Sequence, residues 1–409
     1  MNSATVAQRT ATSVILAVNI GSSSLKFSTH PVVFDGPDHA VDASIFSGSV
    51  QGLEPGGKPF VAWSKNGVKH REDLTLQDHE DGLEAALRIL KAVLARELQG
   101  MDMHAVAHRV VHGGEHFSKG IVVTPEILDE LHALDPLAPL HQPHNLRGIL
   151  AFMQIFTGVP QVACFDTAFH AGISKTEKTF PLTQALYEQG VRRYGFHGLS
   201  YRYISSRLAE HTPGARRRLL MAHLGNGSSL CACLNGNSFS TTMGFSAVGG
   251  LMMGTRCGDL DPGVILYLVQ QGLDAKALEN LFYRQSGLKG LSGISADMRT
   301  LREDGSESAR FAIEVYQRRV IREAGGLIAA MGGVDAIAFA GGIGENDHQL
   351  RADVCDGLGF LGLTLDKSAN RSAPNTAITA IHSPGSAVEV WVVPTDEGIV
   401  AAEEALALL

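Results

Sequence analysis

A chain of 409 residues is longer than one hydrophobic core usually supports, so two domains are expected. With 44% hydrophobic and 19% charged residues, the composition is that of a globular protein, not a disordered or fibrous one. A formal charge of −8 without a long Lys/Arg block speaks against a nucleic-acid surface.

Residues 1–12 are polar and aperiodic and read as a mobile tail, and the apolar run Val14–Val18 is too short for a signal peptide. Ser13–Val18 reads as a buried strand. The chain turns through Asn19–Ser24 and returns over Leu25–Ser28, a β-hairpin with a Gly/Ser tip. Leu83–Leu98 places Leu83, Leu87, Leu90 and Leu94 at helical spacing and predicts an amphipathic helix. Ala105–His112 reads as a strand ending at Gly113, a helix begins at His144, and Gln161–Phe165 is a strand leading to Asp166. The domain boundary is placed there.

The second half repeats the opening. Leu219–His223 is a strand, Gly225–Ser229 its tip, and Leu230–Asn235 the return. Asp261–Gln271 and Phe311–Met331 read as helices, and Ala336–Phe339 as a strand feeding Gly341–Asn346, where a helix starts. The most membrane-like window, Gly325–Gly344, is broken by Asp335 and glycines and reads as helix–turn–strand, so no membrane partner is expected. Val388–Val393 is the last strand, followed by an Ala/Glu/Leu helix. The class is α/β with mixed sheets. Domains of residues 13–165 and 166–394 follow, with helix 395–409 packing back on the first. Five cysteines without a C-x-x-C pair indicate neither a disulfide framework nor a zinc site, and read as reduced thiols of a cytoplasmic protein.

Three Gly-rich tips follow strands. Backbone N–H groups crowded without Cβ atoms form anion-binding concavities, and three in one chain favour phosphate binding. The Walker pattern is absent, so the nucleotide site is of another design. Lys26, just past the first tip, either reaches a phosphate or solvates a strand end. Arg109 lies between apolar neighbours and needs a partner, for which Asp166 is a candidate. Arg256 sits in the loop Gly254–Gly258, where its planar fork suits carboxylate or phosphate oxygens. For each arginine a structural ion pair competes with a site. His197 in Tyr-Gly-Phe-His-Gly projects from a turn, and His141 in a Pro-rich loop resembles it. His112, His116, His132 and His144 read as structural. No H-E-x-x-H spacing occurs; a metal would be magnesium arriving with a nucleotide, on oxygen ligands such as Asn19 and Glu397.

The ordered segments VNIGSSSLKF, AHRVVHGG, PLAPLHQP, FDTAFH, RRYGFHG, AHLGNGSSL, MGTRCGDLDPG, SGISADMR, GGIGEN and PTDEG resemble the acetate kinase family of short-chain carboxylate kinases. The likeness runs collinearly from Leu16 to near Ala405. It implies two duplicated actin-like, sugar-kinase-like (ribonuclease H-like) ATPase domains with an interdomain nucleotide cleft. The implied reaction is ATP + acetate ⇌ ADP + acetyl phosphate with Mg²⁺, or Mn²⁺ in its place, in a homodimer. Asn19 and Glu397 would orient the metal. Ser22, Ser24, Lys26, His223, Gly225, Asn226 and Gly227 would line the phosphates. Arg109 and Arg256 would bind the carboxylate and the moving phosphoryl group, with His197 and His141 assisting and Asp166 orienting. Val111, Leu140, Phe196 and Ala247 would wall the acyl pocket. Asp297, Arg299, Gly341, Gly342, Ile343, Gly344 and Asn346 would hold the adenosine.

Several positions depart from the family pattern. Ala247 stands where a proline is usual, which implies a larger pocket and better use of propionate. Val248-Gly249-Gly250 replaces Leu-Glu-Gly, and Gly398 replaces a second glutamate, leaving one carboxylate for the metal. Leu199 and Tyr201 replace Thr and His and receive no catalytic role. A propionate or butyrate kinase is the nearest alternative. A nucleotide-gated binding module is a remote one and would leave the arginine pair unexplained.

Overall fold

The computed structural model describes residues 13–21, 24–35, 38–53, 58–65, 67–73 and 81–409. They fall into two compact units. One comprises the described residues of Met1–Ala168 together with Asp396–Leu409, the other Phe169–Thr395. Asp166, expected to open the second domain, belongs to the first unit. Its amide bonds the Val110 carbonyl at 3.0 Å, which continues the pairing of the two preceding strands.

The first unit is built on a nine-stranded sheet among the described residues. Its strands are β1 (Ser13–Ile20), β2 (Ser24–Asp35), β3 (Asp38–Val41), β4 (Phe46–Gln51), β5 (Phe60–Lys65), β6 (Val68–Asp73), β7 (Asp102–Val110), β8 (Ile121–Val122) and β9 (Gln161–Phe165). The order is β6-β5-β4-β2-β1-β7-β9-β8, with β3 beside β2. β1 and β2 form the expected antiparallel hairpin, in which Asn19 faces Lys26. The predicted amphipathic helix spans Gly82–Glu97 and starts at an Asp81/Glu84 capping box. Its Leu87, Leu90 and Leu94 are buried against Leu16, Val18 and Phe152.

Two expected boundaries move, each for a local reason. β7 stops at Val110 instead of His112. The amides of Val111 and His112 turn from the ladder to the Asn145 and Gln142 side chains, at 3.0 and 3.2 Å. The helix expected from His144 runs from Gln142 to Ile155, because Pro143 is tolerated in a first turn whose N–H groups lack partners.

The second unit carries β10 (Arg218–Leu224), β11 (Ser228–Leu234), β12 (Asn237–Thr241), β13 (Ala336–Ala340), β14 (Thr379–Ala380) and β15 (Glu389–Val392). Their order is β12-β11-β10-β13-β15-β14. The same pattern, β4-β2-β1-β7-β9-β8, lies inside the first sheet. In each, a hairpin leads, two parallel strands follow, and a short antiparallel strand closes the edge. The duplication suggested by two similar turn sequences is thus a duplication of sheet topology. Helix Glu307–Ala330 buries Ala312, Tyr316, Val320 and Leu327 against this sheet. A helix at Gly198–Leu208, not anticipated from the sequence, packs Tyr201, Ile204 and Leu208 against Leu219 and Met221. Among the described residues, no helix is long and apolar enough to cross a membrane.

Candidate active site

In the first unit, parallel pairing of β7 and β9 sets Arg109 opposite Cys164, so Asp166 emerges one step beyond the strand end on the same edge. Arg109 then grips Asp166 with both arms: Nε donates to Oδ1 at 2.9 Å and Nη2 to Oδ2 at 2.6 Å. A bidentate pair of this kind fixes orientation as well as charge. Glu397, first residue of the terminal helix Glu397–Leu406, brings Oε2 to 3.7 Å from Arg109 Nε. Burial works against the Arg109 cation, but the Asp166 and Glu397 charges more than offset it and hold its pKa above the usual arginine value. The Asp166 side chain is 2% exposed and the Arg109 side chain 22%.

Around this pair the remaining first-unit residues are held from behind. Asn145 accepts from the Val111 amide and donates to the Ile20 carbonyl at 2.8 Å, tying the acyl-pocket candidate Val111 to the end of β1. Gln142 bonds both the amide and the carbonyl of His112. Nothing in the sequence singled out these two amides; their Pro-flanked helix start was the available signal. His141 caps that helix and Leu140 precedes it, both half-buried. His112 and His108 are buried structural rings, and burial pushes each down to about 4. Ser24 is half-buried and Lys26 exposed at the start of β2, while Ser22 lies outside the described residues.

Asn19, at the end of β1, and Glu397 are both oxygen donors, and the terminal helix packs on β1. That donor set fits a magnesium ion, which takes one or two protein oxygens alongside water and phosphate. The glycine at 398 has a physical reason. A Cβ there would lie 2.3 Å from Ser28 Oγ and 3.0 Å from His30 Nε2, so these side chains fill the space a second glutamate would need.

In the second unit, His197 adopts a left-handed conformation (φ 60°) as it caps helix Gly198–Leu208. Its Nδ1 is 2.9 Å from Ser229 Oγ on β11. Its ring stacks at 4.3 Å on His223, whose Nδ1 is 2.7 Å from Ser200 Oγ. A Cβ on Gly227 would lie 3.2 Å from His197 Nε2 and 3.7 Å from Arg256 Nη1, so the glycine tip lets all three approach. Phe196 is buried. Arg256 Nη1 donates to the Ala247 carbonyl at 3.0 Å, which joins the arginine loop to the segment expected to wall the acyl pocket.

The same unit holds a cavity of about 670 Å³. Seven expected residues line it: Gly225, Asn226, Asp297, Arg299, Gly342, Ile343 and Asn346. Ala296, Met298, Arg302, Asp347, His348 and Gln349, which the sequence reading missed, complete it. Gly341 and Gly344 are not in its wall. Gly341 instead makes the turn (φ 74°), and a Cβ there would sit 2.7 Å from the Leu224 carbonyl. Its amide donates to Glu345 Oε1 at 3.0 Å, and burial raises the Glu345 carboxyl. Asp297 caps helix Met298–Asp304 through Thr300, whose hydrogen bonds hold its carboxyl below the usual range. Arg302 pairs with Asp347 at 3.2 Å across the cavity wall. The arrangement suits a flat heterocycle between apolar walls with its phosphates directed to the Gly225–Gly227 tip. Among the described residues, no cluster of three His, Cys, Asp or Glu side chains forms a metal cage.

Residues 14–403 match the family described as the Acetokinase family. The chain belongs to the acetokinase family. It is 44% identical over 395 residues to an acetate kinase of Rhodopseudomonas palustris, covering 95% of this chain and 96% of that one. An acetate kinase of Methylocella silvestris is 44% identical over 405 residues, covering 97% and 98%. Among solved structures, an acetate kinase of Porphyromonas gingivalis superposes with a TM-score of 0.84 at 36% identity, covering 97% and 99%. A propionate kinase of Francisella tularensis gives 0.87 at 32% identity, covering 97% and 100%. These likenesses span both units of this family member and agree with its duplicated α/β architecture.

Proposed function

We propose that the protein is an acetate kinase, transferring the ATP γ-phosphoryl group to acetate in a reversible, magnesium-dependent reaction. The observation that carries this reading is the end-to-end likeness to relatives named acetate kinase at 44% identity. The site geometry is compatible with the roles that the family likeness implies. An acetate oxygen attacks the γ-phosphorus, an O–P bond forms, and the bond to the β-phosphate oxygen breaks with ADP leaving. A carboxylate is already a nucleophile, so no general base is needed; alignment and charge neutralisation do the work.

Arg109, oriented by Asp166, and Arg256, oriented by the Ala247 carbonyl, neutralise the carboxylate and the moving phosphoryl group. His197 hydrogen-bonds that group, and His141 supports the acyl side. Val111 and Leu140 of the first unit, and Phe196 and Ala247 of the second, are the residues assigned to the methyl group. The second-unit cavity takes the adenosine and the Gly225–Gly227 tip the phosphates; Ser24 and Lys26 of the first unit are further phosphate candidates. Asn19 and Glu397 hold magnesium. When bound, the ion screens the charge of the phosphate oxygens. Propionate is the weaker reading; it rests on the loss of a ring at Ala247.

We also propose that a second copy of the chain covers helix Pro262–Gln270. Val264, Ile265, Leu266, Tyr267 and Val269 on it are each 38–64% exposed, an apolar surface that water disfavours. Helix Glu307–Ala330, by contrast, buries most of its apolar residues inside its own unit. Leu266→Asp is expected to shift the molar mass in light scattering from two chains to one; an unchanged mass contradicts the proposed interface.

Incubation with ATP, Mg²⁺ and a panel of short acids, trapped with hydroxylamine, tests the activity. Acetohydroxamate in excess of propionohydroxamate is expected. Absence of any acyl hydroxamate overturns the reading, and a propionate excess replaces acetate with propionate.

A further inference from the structure

His197 Nδ1 does not stand alone. It is 2.9 Å from Ser229 Oγ, and Ser229 Oγ is 2.5 Å from the hydroxyl of Tyr201. Tyr201 is fully buried and lies one helical turn beyond His197, while Ser229 sits in β11 across from it. Three groups in a row admit two proton directions. Either Tyr201 donates to Ser229 and Ser229 to Nδ1, or Nδ1–H donates to Ser229 and Ser229 to Tyr201. In the second direction the proton of the fully buried phenol loses Ser229 as its acceptor. In the first direction both hydroxyl protons have an acceptor within the row, and the ring proton is left to Nε2.

We propose that Tyr201, acting through Ser229, is a positioning residue that holds His197 in the tautomer with its proton on Nε2. Which imidazole nitrogen carries the proton is set by the bond the other one makes. Nε2 is the atom aimed at the Gly227 tip and the Arg256 side, so the row presents an N–H to that space and not a lone pair. A phosphoryl oxygen accepts hydrogen bonds, and a lone pair aimed at it would repel. Burial keeps the phenol protonated, pushing its pKa well above 10.0, so the row has a constant donor at its far end. Tyr201 stands at a position where the family resemblance leads one to expect histidine. A phenol does not ionise near neutral pH, so it fixes the direction of the row where an imidazole would leave it open to either.

The inference rests on the proposed role of His197 toward the phosphoryl group, but its test does not depend on turnover alone. The probe is full-length protein carrying ¹⁵N-labelled histidine, with the His197 signals assigned by their loss in His197→Asn. Wild type is expected to show one His197 tautomer, protonated at Nε2. Tyr201→Phe, which removes one oxygen atom, is expected to show a mixture, and Ser229→Ala likewise. In both, kcat for acetate falls by roughly tenfold while KM for ATP and acetate stays within about twofold. An Nδ1–H tautomer in wild type, or an unmixed Nε2–H tautomer in both variants, overturns the proposal. Full turnover in His197→Asn overturns the catalytic role of His197 instead, and the tautomer spectrum then still decides whether Tyr201 orients the ring.

Discussion

Arg109 stands on a strand of the first unit, and Arg256 in a loop of the second. The first is held by a buried carboxylate at two points, 2.9 and 2.6 Å, and that carboxylate is itself fixed by the next parallel strand. The second is held by the carbonyl of Ala247 at 3.0 Å, with Met253 Sδ at 3.8 Å behind it. The two guanidinium groups proposed for phosphoryl transfer are thus held in different ways. Charge and sheet register fix Arg109. Loop backbone fixes Arg256, and that backbone is the part of the chain that departs from the family pattern. Rate is expected to be robustly encoded at the first arginine and tunable at the second.

The largest effects come from removing either cation. Arg109→Ala and Arg256→Ala are each expected to lower kcat by about 100-fold or more, the cost of one electrostatic contact to a transition state, with circular dichroism unchanged. Near-normal turnover in both would end the arginine assignment. The comparison sharpens with Asp166→Asn. This change keeps one hydrogen bond and removes the charge, and is expected to lower kcat about tenfold; the buried position makes a neutral partner a poor substitute. A tenfold rise in KM with kcat untouched would mean that Asp166 only builds the ground-state site. Smaller again is Ala247→Pro. A proline ring narrows the acyl wall while leaving the carbonyl for Arg256, so propionate kcat/KM is expected to fall about threefold relative to acetate. A shift in the other direction contradicts the pocket-wall role.

The least effect at neutral pH lies behind Arg109, in the buried rings His108 and His112. The Nδ1 of His112 accepts from the Gly114 amide and must stay unprotonated to do so. Folded, both rings take a proton only near 4, against 6.5 when unfolded. The unfolded state therefore binds more protons between these values. Stability is level above pH 6.5 and falls as pH drops toward 4, by about 3 kcal/mol for each ring. Thermal denaturation at stepped pH checks this, and a flat profile between 6.5 and 4 contradicts it.

Much of this was legible from residues. Strands fed each Gly-rich turn, helical spacing marked Gly82–Glu97, and the pairing of Arg109 with Asp166 followed from the cost of a lone buried cation. The family likeness supplied the roles. What sequence left out were contacts between distant, chemically ordinary side chains. Asn145 reaches Ile20, 125 positions away, and Tyr201 reaches Ser229 only because helix Gly198–Leu208 lies against β11's neighbour. Such partners carry no local pattern, since the fold alone brings them together. From sequence alone Gly398 is a lost metal ligand. Its space is taken by Ser28 and His30, which a linear reading has no means of placing there.

The most direct test follows ATP, Mg²⁺ and acetate by ³¹P NMR with wild type and with Arg109→Ala in parallel. Wild type is expected to yield acetyl phosphate and ADP in equal amounts, and the variant to yield both about 100-fold more slowly. ADP with free phosphate and no acetyl phosphate from wild type would contradict carboxylate phosphorylation as the activity of this chain.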